Sequence, residues 1–219
     1  METPREIVAW ALETYERVAV ASSFQAESTV VAHLATRIRP DIPVLFLETG
    51  FHFEQTLAFK ERLAGRLGLN VVELRGELSV AEQEREHGPR LYERDPVRCC
   101  DLNKVRPLDA ALAGYDAWLT GLRRDSAPTR AEAPVVDEYR AASGRVLAKV
   151  NPVAAWSRQQ VWGYLKEHDL PHHPLYDLGY ASIGCAPCTR ALFTGEDERA
   201  GRWAGVDKVE CGIHLAGRS

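Results

Sequence analysis

Apolar positions Ile7, Val8, Ala11, Leu12 and Tyr15 recur at helical spacing, which predicts an amphipathic helix over 4–17. The pattern then changes. Val18-Ala19-Val20-Ala21 is a short continuous apolar run, and its length and β-branched members read as a strand buried on both faces. A loop of small and polar residues follows at 22–28, then a second helical pattern over 29–39. Pro43-Val44-Leu45-Phe46-Leu47 is a second buried strand, ending at Glu48-Thr49-Gly50. Residues 53–67 are helical in pattern, 70–74 form a third strand, and a helix is predicted over about 79–87. A loop rich in Gly, Pro and Arg leads to Cys99-Cys100 and a helix over 101–113. Residues 116–120 are a fourth strand, while 135–139 and 146–149 form a hairpin or an added edge strand. Ser157 and Gln160 are spaced as a capping box and open a helix to about His168. Beyond Pro171 the chain reads as loop, with one short helix near 196–203.

Strands alternating with helices predict an α/β fold: a parallel twisted sheet wound with right-handed crossovers and helices on both faces. Ligands in such sheets bind beyond the carboxyl ends of the strands. The polar motifs after the first, second and fourth strands are therefore expected to converge on one cleft. The 219 residues suit a single domain, 1–219, with residues 204–219 expected as a mobile tail.

Composition narrows the function. The net charge of −4 argues against nucleic-acid binding. No apolar run is long enough for a membrane span, and the first residues carry no basic-then-apolar signal, so a cytoplasmic protein is expected. In that compartment the 5 cysteines read as metal ligands and a nucleophile rather than as disulfides.

Four cysteines fall in two close pairs, Cys99-Cys100 and Cys185-Ala186-Pro187-Cys188. Two thiolate pairs make a soft four-coordinate metal site. Zinc is one reading. Adjacent cysteines suit an iron–sulfur cluster better, because its ligands bind different irons and need not converge on one point. Lys104 follows the first pair closely enough to offset its negative charge. The fifth thiol, Cys211, lies in Glu210-Cys211-Gly212-Ile213-His214, where His214 or a nearby cation can activate it. The 22–28 loop opens a helix and can hold an anion there, though it lacks the Gly-Lys-Ser/Thr of a Walker loop. Gly121-Leu122-Arg123-Arg124-Asp125, with Arg130, brings guanidiniums to the ligand side of the sheet. Arg199 and Arg202 share a face if their segment is helical. His172-His173 reads as packing or substrate-side residues, because four cysteines already complete a metal site.

Together these segments resemble the phosphoadenylyl/adenylyl-sulfate reductase family, the sulfonucleotide reductases of sulfate assimilation. The resemblance rests on 22–28, Leu47-Glu48-Thr49-Gly50, Cys99-Cys100 with Lys104, 121–130, 173–190 and the Glu210–His214 tail. It is closest to the branch with four such cysteines. It implies an adenine-nucleotide alpha-hydrolase-like (Rossmann-like) fold, a [4Fe-4S] cluster on Cys99, Cys100, Cys185 and Cys188, and Cys211 as nucleophile. Lys104, Arg199, Arg202 and His214 match positions associated with the phosphosulfate. Ser22, Ser23, Ser28, Leu47, Thr49, Gly50, Gly121 and Arg123 match nucleotide-binding segments. The implied reaction is thioredoxin- or glutaredoxin-dependent reduction of adenosine 5′-phosphosulfate to sulfite and AMP through a cysteine S-sulfonate.

Two departures stand out: Glu48 where the family usually has aspartate, and Ser126-Ala127 where many members have Gln-Ser. The other readings are a reductase of the 3′-phosphorylated or of both nucleotides, a tRNA-thiolating enzyme, and a zinc-stapled nucleotide-binding module. The sequence leaves the oligomeric state open, a homo-oligomer included.

Overall fold

The computed structural model describes residues 3–213. Six strands form one sheet in the order β3-β2-β1-β4-β6-β5. They are β1 (Val18–Ala21), β2 (Pro43–Glu48), β3 (Asn70–Arg75), β4 (Ala117–Leu119), β5 (Val136–Arg140) and β6 (Val146–Val150). Every neighbouring pair is parallel except β5 with β6. The 135–149 region is thus both a hairpin and an edge: β6 extends the parallel sheet beside β4, and β5 folds back on it. Among the described residues no helix is long and apolar enough to cross a membrane.

The apolar strands are buried on both faces, as their lack of alternation predicts. Val18 and Val20 of β1, Val44 and Phe46 of β2, and Ala117 and Leu119 of β4 enter one core. There they meet α1 (Pro4–Thr14), α2 (Ala26–Thr36), α3 (Glu54–Leu67) and α8 (Arg158–Glu167). Ala19, Leu45 and Trp118 point the other way, onto Leu108 and Leu112 of α7 (Arg106–Leu112).

Local chemistry sets the helix ends. Thr3 and Glu6 close a capping box on α1, with Pro4 in its first turn, and Ser157 and Gln160 close the expected one on α8. α4 (Val80–His87) starts in the same way, from Ser79 and Glu82. α2 begins three residues earlier than its periodicity suggests, because Phe24 takes a positive φ of 57° and turns the chain at once.

After α5 (Leu91–Arg94), the helix expected over 101–113 is a composite. α6 (Pro96–Cys100) runs into a π-helical turn, Asp101–Val105, and then into α7. Pro107 has no N–H to give the carbonyl four residues back, while the Arg106 N–H reaches five residues back to Asp101. The widened turn carries Lys104.

The short helix expected near 196–203 does not form; the segment is a series of turns. Its backbone pairs across to 188–190 instead: Arg190 N–H donates to Gly201 O and Trp203 N–H to Cys188 O, both at 3.0 Å. A side chain at 201 would put Cβ 2.3 Å from Arg190 O, so only glycine permits the approach.

Candidate active site

The sheet order reverses direction at β1, which has β2 on one side and β4 on the other. A crevice opens at such a switch point. The loops after β1, β2 and β4 line a cleft of about 170 Å³ there.

Its floor is the loop from Ser22 to Gln25. Ser22 Oγ accepts the Phe24 N–H at 3.1 Å, and Ser28 Oγ donates to Gln25 O at 3.1 Å. Gln25 donates to Ser23 Oγ and accepts the Ile183 N–H, tying the loop to the cysteine-bearing segment. No side chain of Gln25 caps α2; the Tyr176 hydroxyl accepts the Ala26 N–H at 3.1 Å instead. The next first-turn amides, of Glu27 and Ser28, have no acceptor within the helix and suit an anion. Gly121 lies against them. A Cβ there would stand 2.7 Å from Ser28 N.

Arg123 is fully buried and wholly engaged by carboxylates. Its Nε donates to Glu27 at 3.0 Å, its Nη2 to both oxygens of Glu198 at 2.9 and 2.8 Å, and its Nη1 pairs with Asp125. The arginine expected to face substrate therefore organises three acidic side chains, two of which, Glu27 and Glu198, line the cleft. Burial raises the Glu198 pKa, against the pull of Arg123, and Glu27 adds to the rise.

The cationic end is built from Lys104, Arg199 and Arg202, with the Cys211 thiol among them. Arg199 and Arg202 both donate to the buried Ser182 Oγ, at 3.4 and 3.3 Å. Arg202 also lies over the Trp203 ring, 4.5 Å from its centroid. The two arginines share one destination without sharing a helix. Burial, with repulsion from Arg130 and Arg202, lowers Arg199 to about 10, so it stays charged at neutral pH. Burial alone would lower Lys104, but electrostatic coupling to Cys185, Cys211 and Cys100 outweighs it and raises its pKa.

The tail reaches the cleft through Glu210. Arg130 grips this buried carboxylate in a fork, Nε to Oε1 at 2.7 Å and Nη2 to Oε2 at 2.8 Å. Thr129 Oγ1 donates to it at 3.2 Å, and Arg199 at 3.2 Å. Burial would raise the Glu210 pKa; these arginines outweigh it and hold it below the usual range. Cys211 is half-buried and faces two ways: it lines the cleft and also a surface groove beside Val97, Lys208 and Val209.

A second, smaller cavity adjoins the first. Cys99, Cys100, Cys185 and Cys188 all line it, and Lys104 and Arg202 belong to both walls. None of the five cysteines is in a disulfide. Asn103 fixes the first pair, its Nδ2 donating to Cys99 O at 2.9 Å and lying 3.6 Å from Cys99 Sγ. Ala186 N–H donates to Phe51 O at 2.7 Å and anchors the second pair. Burial, then the charges of the neighbouring cysteines, pushes Cys99 up to about 12 and Cys188 to about 11. Among the described residues no three His, Cys, Asp or Glu side chains are grouped to hold one ion. The thiols ring a space rather than meet at a point.

Ser22, Ser23, Ser28, Leu47, Gly121, Arg123, Arg199 and Arg202 all line the cleft, as do Lys104 and Cys211. Thr49 and Gly50 do not. The Thr49 hydroxyl lies 3.4 Å from Cys185 Sγ, on the thiol side, and Gly50 is an exposed turn whose N–H donates to Glu48 Oε1 at 2.8 Å. Glu48 thus serves that turn. Ser126 accepts from Arg130 at 3.3 Å and supports the tail seat. His173 is buried packing: it accepts the Leu175 N–H on Nδ1, leaving Nε2 to donate to Thr56 at 2.9 Å. His172 pairs with Asp177 on the surface. His214 lies outside the described residues. Sequence reasoning missed Ser182, Glu27 and Glu198, because their types are common and only their meeting is informative.

The model of the phosphoadenosine phosphosulfate reductase domain matches residues 17–191. The chain is 51% identical over 215 residues to the adenosine 5′-phosphosulfate reductase of Streptomyces coelicolor, covering 97% of this chain and 88% of that protein. It is 44% identical over 215 residues to a protein of Gloeobacter violaceus named phosphoadenosine 5′-phosphosulfate reductase, covering 96% and 88%. The crystal structure of phosphoadenylyl-sulfate reductase from Candida auris, in a phosphate complex, superposes with a TM-score of 0.75 at 28% identity, covering 86% of this chain and 90% of that one.

Proposed function

Because the chain belongs to the phosphoadenosine phosphosulfate reductase family, we propose that it reduces adenosine 5′-phosphosulfate to sulfite and AMP, with a dithiol protein of the thioredoxin or glutaredoxin type as electron donor. It is an oxidoreductase of sulfate assimilation. The observation that carries this reading is one juxtaposition: the Cys211 thiol shares a cleft with Lys104, Arg199 and Arg202, beside the N-terminus of α2.

The Cys211 thiolate attacks the sulfuryl sulfur. An S–S bond forms, the S–O bond to phosphate breaks, and AMP leaves with the electron pair. Lys104, Arg199 and Arg202 face the charge that gathers on the sulfuryl and phosphate oxygens and stabilise it. Cys211 then carries the sulfonate. A thiolate of the reductant attacks Cys211 Sγ, sulfite departs with its electron pair, and a mixed disulfide remains. The reductant's second thiol resolves it and frees Cys211. Sulfur gains two electrons and the dithiol loses two. The surface groove that also reaches Cys211 gives the reductant a path to the sulfur. Opening of the 204–219 tail during this exchange is part of the proposal.

The donor set fits a [4Fe-4S] group. Four thiols surround one cavity, and a cluster takes its ligands on separate irons. Cys99, Cys100, Cys185 and Cys188 would hold it, and when bound it supplies structural and electrostatic support while the thiols carry the electrons. The role of His214 beside Cys211 belongs to the same proposal.

Mass spectrometry after mixing the holoenzyme with adenosine 5′-phosphosulfate, without reductant, tests the reading. A sulfo adduct on Cys211 is expected; an unmodified Cys211 after full exposure to substrate overturns it. Running the 3′-phosphorylated nucleotide in parallel assigns the preferred substrate.

A further inference from the structure

The chain between Trp203 and Glu210 is held mainly by itself. Among the described residues its backbone-to-backbone hydrogen bonds are local, Val206 N–H to Trp203 O and Lys208 N–H to Val206 O. The firm attachment comes at Glu210, one residue before the thiol, whose partners Thr129 and Arg130 are 81 and 80 positions away. An exposed ion pair adds little order. This one is buried, forked and shared: the side chains of Glu210, Arg130 and Arg199 are only 3%, 12% and 15% exposed.

We propose that Glu210 is the positioning residue that seats Cys211 in the cleft, and that Arg199 links this seat to the anion in the cleft. Fixing a carboxylate fixes the Cα beside it, so the Arg130 fork sets where Cys211 begins its attack. Arg199 completes the link. It donates to Glu210 Oε2 at 3.2 Å and to Val209 O at 3.1 Å, yet it also lines the cationic end of the cleft. Arg130 and Arg199 share this carboxylate, while Arg130 and Arg202 both repel Arg199, and that repulsion works against the seat. An anionic nucleotide relieves that repulsion, so anion binding and tail seating reinforce each other. When the anion leaves, the seat loosens, and the thiol becomes free for its next partner. This inference rests on the proposed reaction for its choice of nucleotide.

The test compares the wild-type holoenzyme with Glu210→Gln, Arg130→Gln and the double variant. Glu210→Gln keeps shape and removes charge. In wild type, AMP is expected to slow iodoacetamide alkylation of Cys211, followed by peptide mass spectrometry, by about 5- to 150-fold. In Glu210→Gln that protection disappears. Single-turnover sulfonation of Cys211 is expected to fall roughly 100-fold in each single variant, the cost of a nucleophile misplaced by about an ångström. The double variant should be no slower than either, because both changes break one fork. Iron content should match wild type, and Glu210→Asp, which retains the charge, should recover part of the rate. Sulfonation at the wild-type rate in Glu210→Gln, additive losses in the double variant, or AMP protection that survives Glu210→Gln each overturn the proposal. Absence of any adduct in wild type overturns the proposed reaction instead, and the alkylation comparison then still decides the seat.

Discussion

Arg123 holds Glu198 by both carboxylate oxygens, at 2.9 and 2.8 Å, across 75 positions of sequence and with its own side chain fully buried. The same guanidinium takes Glu27 and Asp125, so one cation ties together the acidic wall of a cleft whose other end is cationic.

Arg123→Met removes that cation without removing its volume. Breaking a buried pair by deleting one partner costs about 3–5 kcal/mol, and the lower end applies because Glu27 and Glu198 can still hydrate from the cleft. A loss of about 3 kcal/mol is expected in urea unfolding at neutral pH. The loss should shrink on acidification. The Glu198 pKa is already raised in the folded protein and would rise further without Arg123, so the folded variant binds more protons than the unfolded chain. Stability then falls as pH rises through the folded pKa. A deficit independent of pH would contradict this account.

His173 predicts an acid limb of the opposite sign. Burial holds its pKa at about 4, below the ordinary 6.5, so the folded state keeps it neutral while the unfolded chain takes up a proton. The stability it contributes is present above the unfolded pKa and is lost as pH falls from about 6.5 to 4. The shift is worth roughly 3 kcal/mol at full protonation of both states. Urea midpoints measured across that range should fall less steeply in His173→Gln than in wild type.

Gly121→Ala should damage the anion seat. The added Cβ meets Ser28 N at 2.7 Å and the Glu27 carbonyl carbon at 3.0 Å, and neither backbone atom can swing away. The strain is expected to cost about 1–3 kcal/mol. Calorimetric titration with AMP should show an affinity at least about 10-fold weaker. Unchanged affinity would place the nucleotide elsewhere.

Lys104→Gln separates two roles, since the lysine lines both the cleft and the thiol cavity. If it stabilises charge on the reacting oxygens, single-turnover sulfonation should fall about 100- to 1000-fold with iron content and visible absorption intact. Loss of iron in step with rate would assign it to the thiol cavity alone.

Much of this was legible in the sequence. The apolar runs at 18–21 and 43–47, the helical periodicities and the capping box at Ser157 report burial and local hydrogen bonding, which neighbours along the chain decide. The pairing of four cysteines and the isolation of a fifth were also written there. The segment at 196–203 shows where local reasoning stops. Its arginine spacing suits a helix, but its backbone donors find partners at 188–190, a choice made by tertiary approach through Gly201.

The sequence by itself thus determined the sheet strands, most of the helices and which residue types can do chemistry, because apolar period and side-chain functionality are properties of short stretches. Only the tertiary structure decided which charges meet. Arg123 was assigned to carboxylates, Arg130 to the tail, Thr49 to the thiol side and Lys104 to a shared wall. Each of those assignments joins residues far apart in the chain, and it follows from a strand order that gathers the ends of β1, β2 and β4 at one crevice.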